Sequence, residues 1–494
     1  MSFTTLDDQS ILDKAPELNR VSGTPVMCVD LDGTLLATDS LWESIFTLLK
    51  QNPWSLLYFL PWLLQGKAKF KSEISKLVSL DPKILPYRME VLSYLETLKK
   101  EGRELILVTG SHERIAHSVA DHLGIFSEVI ASNDHVNLTG TIKARILEKH
   151  FGAKGFDYMG DSSADLQVWP MARHAILVHP SQSVLRQASD TSTIHHVFPS
   201  PHNSISLYLK AFRSHQWVKN TLLFLPLLSA HHLFNIQALF LASMAFISFS
   251  LWASAFYIVN DLIDLPADRR HPHKQHRPFA SGSLSITQGL TFIPVLLGLS
   301  LGISFLTLPI NFSIFLGLYA LITTAYSLVL KKMVILDVLT LAGFYTLRVV
   351  AGGAAVGVPI SAWLLAFSVF FFLSLAFGKR HAELQLRKVS RRQGIERRAY
   401  LGVDKEMLAV MGTTSGYLSV LVLALYINSP EVFEHYSHPN MLWLACPILL
   451  YWISKTWILA HRGNLDDDPL VIALQDPTSY VLATLLSLLV FFAI

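Results

Sequence analysis

The chain is short of two things that most proteins of its length contain. Only two of its 494 residues are cysteine, Cys28 and Cys446. They stand far apart in no metal-binding or redox spacing, which excludes a disulfide framework. Charge is also scarce. Lys, Arg, Asp and Glu supply 16% of the residues against 51% apolar ones, where an ordinary soluble protein carries about 25% charged residues; much of the chain is therefore expected to lie in a membrane. The net charge of +3 is small, and no nucleic-acid partner is expected. Low-complexity tracts and short repeats are absent. The first residues are polar and acidic with no apolar core, so no cleavable signal peptide is expected and the N-terminal portion is expected to stay in the cytoplasm.

What is present falls into two regimes. Residues 1–200 read as an α/β domain, in which short apolar runs at 26–30, 105–109 and 175–178 predict buried parallel strands between helical stretches. Residues 197–204 are rich in Pro and Ser and read as a linker, so 201–218 is expected to connect the halves. From 219 to 494 the chain is mostly apolar helix, with about nine candidate spans: 219–232, 236–259, 287–307, 311–330, 335–355, 361–378, 408–427, 441–460 and 478–494. Most approach the ~20 residues that cross a bilayer. Basic residues fall on alternate connections: Arg213 and Lys219; Arg269, Arg270, Lys274 and Arg277; Lys331 and Lys332; Lys379, Arg380, Arg387, Lys388, Arg391, Arg392, Arg397 and Arg398; and Arg462. The intervening connections, 229–235, 308–310, 353–361 and 428–440, contain no Lys or Arg. This is the positive-inside pattern for an odd number of spans with the N-terminus in the cytoplasm.

The second span ends in Asn260-Asp261-Leu262-Ile263-Asp264-Leu265-Pro266-Ala267-Asp268. Carboxylates three and four residues apart share a helix face, and such a cluster at a membrane boundary is costly unless a cation occupies it. Magnesium shared with a diphosphate fits, because hard cations take carboxylate and phosphate oxygens together. Pro266 disfavours a helical Leu265, which predicts a loop for Asp268. The following stretch, Arg269 to Gly282, holds three histidines among Arg and Lys; the cations favour phosphate binding over a metal site. Arg348 falls inside a predicted span and is expected to face a cavity, whereas Lys455 lies near a span end and can snorkel.

In the first half, Asp30-Leu31-Asp32-Gly33-Thr34 follows the first strand. A carboxylate at a strand end can attack phosphorus, and a second one two residues on can protonate the leaving oxygen and later activate water. At this point the sequence resembles the haloacid-dehalogenase-like (HAD) phosphatases of the phosphoserine-phosphatase type. The resemblance implies a Rossmann-like α/β fold with a helical cap at about 36–100. It matches Thr109, in Val108-Thr109-Gly110-Ser111, to a hydroxyl that holds a phosphoryl oxygen, and Lys143 to a cation offsetting phosphate charge. It also implies magnesium held among Asp30, Asp32, Asp161 and Asp165. An ion-pump phosphorylation domain is set aside: pumps carry D-K-T-G-T with a large insertion, whereas here Asp32 supplies a hydrolytic carboxylate. The segment 53–64 is too apolar for a solvent-facing cap, so it either packs into the cap core or touches the bilayer.

From about 210 onward the chain resembles the UbiA superfamily of intramembrane prenyltransferases, through N-D-x-x-D-x-x-x-D followed by H-P-x-K-x-x-R-P-x-A-x-G at Asn260 to Gly282. It is more narrowly similar to the decaprenyl-phosphate phosphoribosyltransferase branch, through Gln216-Trp217-Val218-Lys219-Asn220, Tyr326, Lys331, Asp337, Arg348 to Gly353, and Gly378 to Leu384. The resemblance implies an all-α membrane bundle and transfer of 5-phosphoribose from phosphoribosyl diphosphate to a polyprenyl phosphate in the membrane lipid. Asp261 and Asp264, with Asp268 and Asp337, are then expected to hold magnesium. Lys219, Asn260, Lys274, Arg277, Tyr326, Lys331, Arg348, Lys379, Arg380 and Glu383 are expected to bind substrate. Many relatives carry a second D-x-x-x-D, but here Leu341 stands four residues after Asp337. The alternative is a UbiA enzyme moving a prenyl group from prenyl diphosphate to an aromatic or other acceptor. Fusion of the two halves implies sequential chemistry, with the phosphatase removing the 5-phosphate of the lipid product.

Overall fold

Four apolar residues, Val26–Val29 (β1), open a sheet whose remaining strands are Leu105–His112 (β2), Glu128–Ser132 (β3), Phe156–Gly160 (β4), Ala175–Val178 (β5) and Ile194–Phe198 (β6). Their order is β3-β2-β1-β4-β5-β6, and every neighbouring pair is parallel. A parallel sheet is covered on both faces, which is why its central strands are near-continuous apolar runs. Alternate residues serve the two sides: Cys28, Ile106 and Tyr158 belong to one core cluster, Met27, Val29 and Leu107 to the other. The connections diverge between β1 and β4, and that crevice at the carboxyl ends of the strands is where α/β folds place ligands. Asp30 follows β1 and Asp161 follows β4, so both stand there.

The computed structural model describes residues 25–201, 204–232, 234–389, 400–463 and 476–493. Arg391, Arg392, Arg397 and Arg398 of the basic run, and the side chains of Arg387 and Lys388, lie outside the described residues. The contacts divide the chain into two units: Met1–Ala211 with Ile258–Phe292, and Phe212–Tyr257 with Ile293–Ile494. By its contacts the aspartate-rich segment, within Ile258–Phe292, groups with the α/β unit.

The insertion after β1 contains helices Ser40–Gln51, Leu56–Leu64 and Lys67–Leu77. Asp39 caps the first, its carboxylate accepting from the amides of Leu41 and Trp42 at 2.9 and 3.1 Å. Ile45, Leu48, Ile74, Val78 and Leu80 form its small core. The helix Met89–Lys100, expected within the cap, instead buries Val91 and Leu95 against the sheet.

Seven helices among the described residues are long and apolar enough to cross a membrane: Ile236–Ile263, Ile286–Thr307, Ile310–Leu328, Leu336–Val356, Ala362–Gln385, Gly402–Ile427 and Pro439–His461. The chain is a multi-pass membrane protein, and nine was an approximate count. The stretch 219–232 is not one span. It consists of 3-10 turns over Ser214–Phe224 and a five-residue helix Leu225–Ser229 opened by Pro226. Pro477–Ala493, with 17 residues, is shorter than the usual span. Within the second unit small residues allow close helix approach. A Cβ on Gly352 would lie 2.2 Å from the Leu223 carbonyl oxygen, and one on Gly412 2.1 Å from the Trp457 ring.

Candidate functional site

The α/β unit gathers Asp30, Asp161 and Asp165 so that one oxygen of each lies within 4.8 Å of the others. Lys143, on the helix Thr141–Phe151, reaches this group from below: its ammonium donates to Asp30 Oδ2 at 2.9 Å and to the Tyr158 hydroxyl at 2.8 Å, with Asp165 Oδ1 at 3.7 Å. Asp165 is fully buried and organises the turn after β4, accepting from the amides of Asp161 and Ser162 at 3.1 Å and from the Tyr158 hydroxyl at 2.8 Å. Thr34 Oγ1 donates to Asp161 at 3.2 Å. Gly33 adopts φ +75°, and a Cβ there would lie 2.2 Å from Asp161 Oδ2, so glycine is required by both backbone and space.

Burial, then neighbouring carboxylates, set the charge balance. Asp30 is pushed up to about 6, chiefly by burial, with Lys143 opposing and Asp165 adding to the rise. Asp161 is driven well above the usual carboxylate range by burial, Asp165 and Asp30. Burial pulls the Lys143 ammonium down, but Asp30 and Asp165 outweigh it, and it stays charged. Three crowded carboxylates, with Asp30 and Asp161 both resisting ionisation, fit a hard divalent cation, which would relieve their repulsion.

Asp32 stands outside that group. Its carboxylate accepts from the Ser40 amide at 2.8 Å, from Ser40 Oγ at 3.1 Å and, in a short bond, from Ser111 Oγ. Burial, with Asp39 adding to it, pushes Asp32 up to about 7 against those hydrogen bonds. Thr109, fully buried in β2, accepts from the Ser111 amide at 3.0 Å. The sequence reading missed Ser40, Ser111, Tyr158 and Lys71. Lys71, on the insertion, donates to the Gly110 carbonyl at 2.6 Å and to Asn137 at 2.9 Å. Burial lowers its pKa, with the carboxylates of Asp32, Asp39 and Asp30 opposing the fall. Among these, only Ser111 lay within a motif quoted from the sequence.

The aspartate-rich segment belongs to the same unit. Asp264 stands between the long helix ending at Ile263 and a short helix Leu265–Arg269, with Pro266 in its first turn, where a missing amide costs nothing. Asp268 is thus helical, not on a loop. Its side chain and that of Asp261 are buried and joined by Arg277, whose Nη1 donates to Asp261 at 3.0 Å and to Asp268 at 2.6 Å. A guanidinium bridging two carboxylates seven residues apart shows that the pair accommodates a cation. Lys50 meets Asp264 at 2.6 Å. Arg269, which the sequence reading treated only as part of a basic stretch, is buried and forks onto Glu43 at 3.0 and 2.6 Å. Asn260 lies in the last turn of the long helix, and Lys274 begins a 3-10 turn.

The helical unit holds two buried polar networks. In one, Arg380 binds both oxygens of Asp337 (one of these bonds is short), both oxygens of Glu383 at 2.8 Å, and the Tyr326 hydroxyl at 3.0 Å; Tyr326 donates to Asp337 at 2.7 Å. The Asp337 helix starts after Ile335, which adopts φ +67°, a costly conformation for a β-branched residue. In the other, Arg348 donates to Asn220 at 2.8 Å and to the Phe344 carbonyl at 2.6 Å, with its guanidinium 5.1 Å from the Phe249 ring. Lys219 lies 6.0 Å from the Tyr345 ring. Lys331 sits in a 3-10 turn and Lys379 precedes Arg380 on its helix.

Comparison with known proteins accords with both halves. The UbiA prenyltransferase family matches residues 221–475, and the haloacid dehalogenase-like hydrolase family matches 28–169. The uncharacterized protein y4nM of Sinorhizobium fredii is 36% identical over 94% of this chain and 90% of its own length. Decaprenyl-phosphate phosphoribosyltransferase of Mycobacterium tuberculosis is 32% identical over 57% of this chain and 92% of its own. Among solved structures, a UbiA homolog from Archaeoglobus fulgidus bound to DMAPP and Mg2+ is 16% identical, covers 58% of this chain and 97% of its own, and has a TM-score of 0.43.

Proposed function

Because the chain belongs to the UbiA prenyltransferase family and carries an N-terminal HAD-like domain, we propose that it transfers 5-phosphoribose from phosphoribosyl diphosphate to a polyprenyl phosphate. The HAD domain then removes the 5-phosphate from the lipid product. The observation that carries the donor is the likeness to a decaprenyl-phosphate phosphoribosyltransferase over 92% of that enzyme. The positive-inside pattern supports a cytoplasmic HAD domain in this reading.

In the transfer, the bond from ribose C1 to the diphosphate oxygen breaks, and an oxygen of the lipid phosphate forms the new bond to C1. That oxygen enters already ionised, so no general base is needed. Asp261, Asp264 and Asp268 would hold magnesium, which supplies positive charge against the leaving diphosphate. Arg277, already at those carboxylates, and Lys274 clamp phosphate oxygens. Lys219, Lys331 and Lys379 are the cations proposed for the ribose 5-phosphate and the acceptor phosphate. Arg380 has another task in this reading. Saturated by Asp337, Glu383 and Tyr326, it positions those groups rather than gripping phosphate.

In the phosphatase, Asp30 attacks phosphorus while Asp32, protonated near neutral pH, gives its proton to the departing ribose oxygen. Ionised Asp32 next takes a proton from the water that opens the aspartyl-phosphate. Thr109 and Lys143 hold the phosphoryl oxygens, and Asp30, Asp161 and Asp165 would hold magnesium. To test the donor, membranes bearing the chain are given polyprenyl phosphate and ribose-labelled phosphoribosyl diphosphate. Label should enter the lipid, and Asp261→Asn should abolish transfer. Transfer of label only from prenyl diphosphate to a non-lipid acceptor would overturn the reading.

A further inference from the structure

The phosphatase insertion carries a surface that neither reaction uses. The apolar segment Pro53–Leu64 contains no charged residue, and its large side chains face outward: Trp54 is 74% exposed, Leu57 69% and Leu64 78%. Phe59 and Trp62 attach one side of it to the cap core, Phe59 packing edge-on against Phe70 at 5.7 Å, and the rest of its apolar side chains stay outside that core. An outward face of this kind is larger than the scattered apolar residues a solvated surface tolerates.

Two further observations name what covers it. The sequence from residue 44 to 72 contains no Asp or Glu but includes Lys50, Lys67, Lys69 and Lys71, and Lys67 and Lys69 follow the helix directly. Apolar and aromatic residues next to lysines suit anionic headgroups above acyl chains. The unit that bears this helix also contains Ile258–Ile263 and Ile286–Phe292, the ends of two membrane helices. It is therefore rooted at a bilayer already.

We infer that Pro53–Leu64 is an interfacial helix that dips into the lipid surface and holds the phosphatase opening, with Lys71, against it. The phosphatase would then select phosphate esters carried by lipid over soluble ones. This selectivity rests on the proposed phosphatase activity; the insertion of the helix does not.

Both native cysteines are buried, so a fluorophore at Leu57→Cys labels one place in the full chain. In vesicles of phosphatidylcholine and phosphatidylglycerol its emission should shift to the blue and be quenched by lipid-borne nitroxide. A label at Glu101→Cys, on the same unit, should instead be quenched by aqueous iodide. Iodide quenching at both positions would overturn the inference. So would a Leu57→Cys label shielded from iodide and nitroxide alike in proportion to protein density, which would mean that a second copy covers the helix. The second arm replaces Leu57 and Leu64 by Glu. Turnover of the phosphoribosyl lipid should fall at least about tenfold, the scale on which losing one anchoring contact acts, with a soluble phosphomonoester cleaved as before. An equal fall on both substrates would overturn the selectivity. If the unchanged chain cleaves neither ester, the phosphatase reading fails, while the quenching result still decides the helix.

Discussion

Glu43 and Arg269 allow the sharpest energetic test of how the α/β unit is built. Their side chains are 1% and 5% exposed, and the guanidinium meets both carboxylate oxygens. Glu43 also accepts from Thr38 Oγ1 at 2.6 Å, and the Thr38 carbonyl accepts from Gly33 in the acidic turn after β1 at 3.2 Å. Glu43→Ala leaves a buried guanidinium without its counter-charge, a loss of about 3–5 kcal/mol for buried pairs against about 0–1 for exposed ones. A value of about 3 kcal/mol is more than a hundredfold in a local opening equilibrium. Hydrogen exchange on the full chain should register it simultaneously in the insertion and in the segment around Arg269. Replacing both residues by Met should restore much of the protection, because well-packed apolar pairs replace buried ion pairs at little cost. Single-residue losses below about 1 kcal/mol that add without coupling would refute the reasoning.

Three other outcomes follow from the geometry. Asp32, raised to about 7 by burial, must be protonated to release an alkoxide; phosphatase kcat on a sugar phosphate should fall as pH rises through about 7, while an aryl phosphate with a good leaving group shows no such limb. A shared limb contradicts the acid role. Asp30 and Asp161 hold protons more tightly folded than at the usual carboxylate value of about 4, so their contribution to stability is full below that value and lost as pH rises through their folded pKa values, about 6 for Asp30. Magnesium should therefore raise the unfolding temperature of the α/β unit more at pH 8 than at pH 5, and equal increments at both would count against a metal among these carboxylates. Arg380→Lys keeps the charge but loses the fork that serves Asp337 and Glu383. Transfer should drop at least about tenfold, as for a lost charge-assisted bond of about 1.5–3 kcal/mol, with soluble phosphatase activity unchanged; retention of full transfer would remove the positioning role.

The acidic turn after β1 was legible because its signal is local: Asp30, Asp32 and Gly33 stand within four residues, and β1 is a plain apolar run. Strands β3, β4 and β6 were not, since Glu128 opens the first, Asp157 interrupts the second and His195 and His196 the third. Asp157 is tolerated because Arg173 pairs with it at 2.8 Å and Arg103 in a short contact, partners that spacing along the chain cannot reveal. The same holds for Arg269, whose partner Glu43 is 226 residues away, and for Arg380, 43 residues from Asp337. Hydropathy marked 219–232 as a span because it counts apolar residues without regard to the turn that Pro226 opens. Pro266 was read as ending helical structure, whereas it begins the short helix that buries Asp268.

The central claim is a two-step path from phosphoribosyl diphosphate to a dephosphorylated ribosyl lipid. Mass spectrometry of lipids from membranes carrying the full chain, given phosphoribosyl diphosphate and polyprenyl phosphate, tests it most directly. With Asp30→Asn the lipid should accumulate as its 5-phosphate, and with the unaltered chain it should lack that phosphate. No ribosylated lipid from either, or the same phosphorylated lipid from both, would contradict the account.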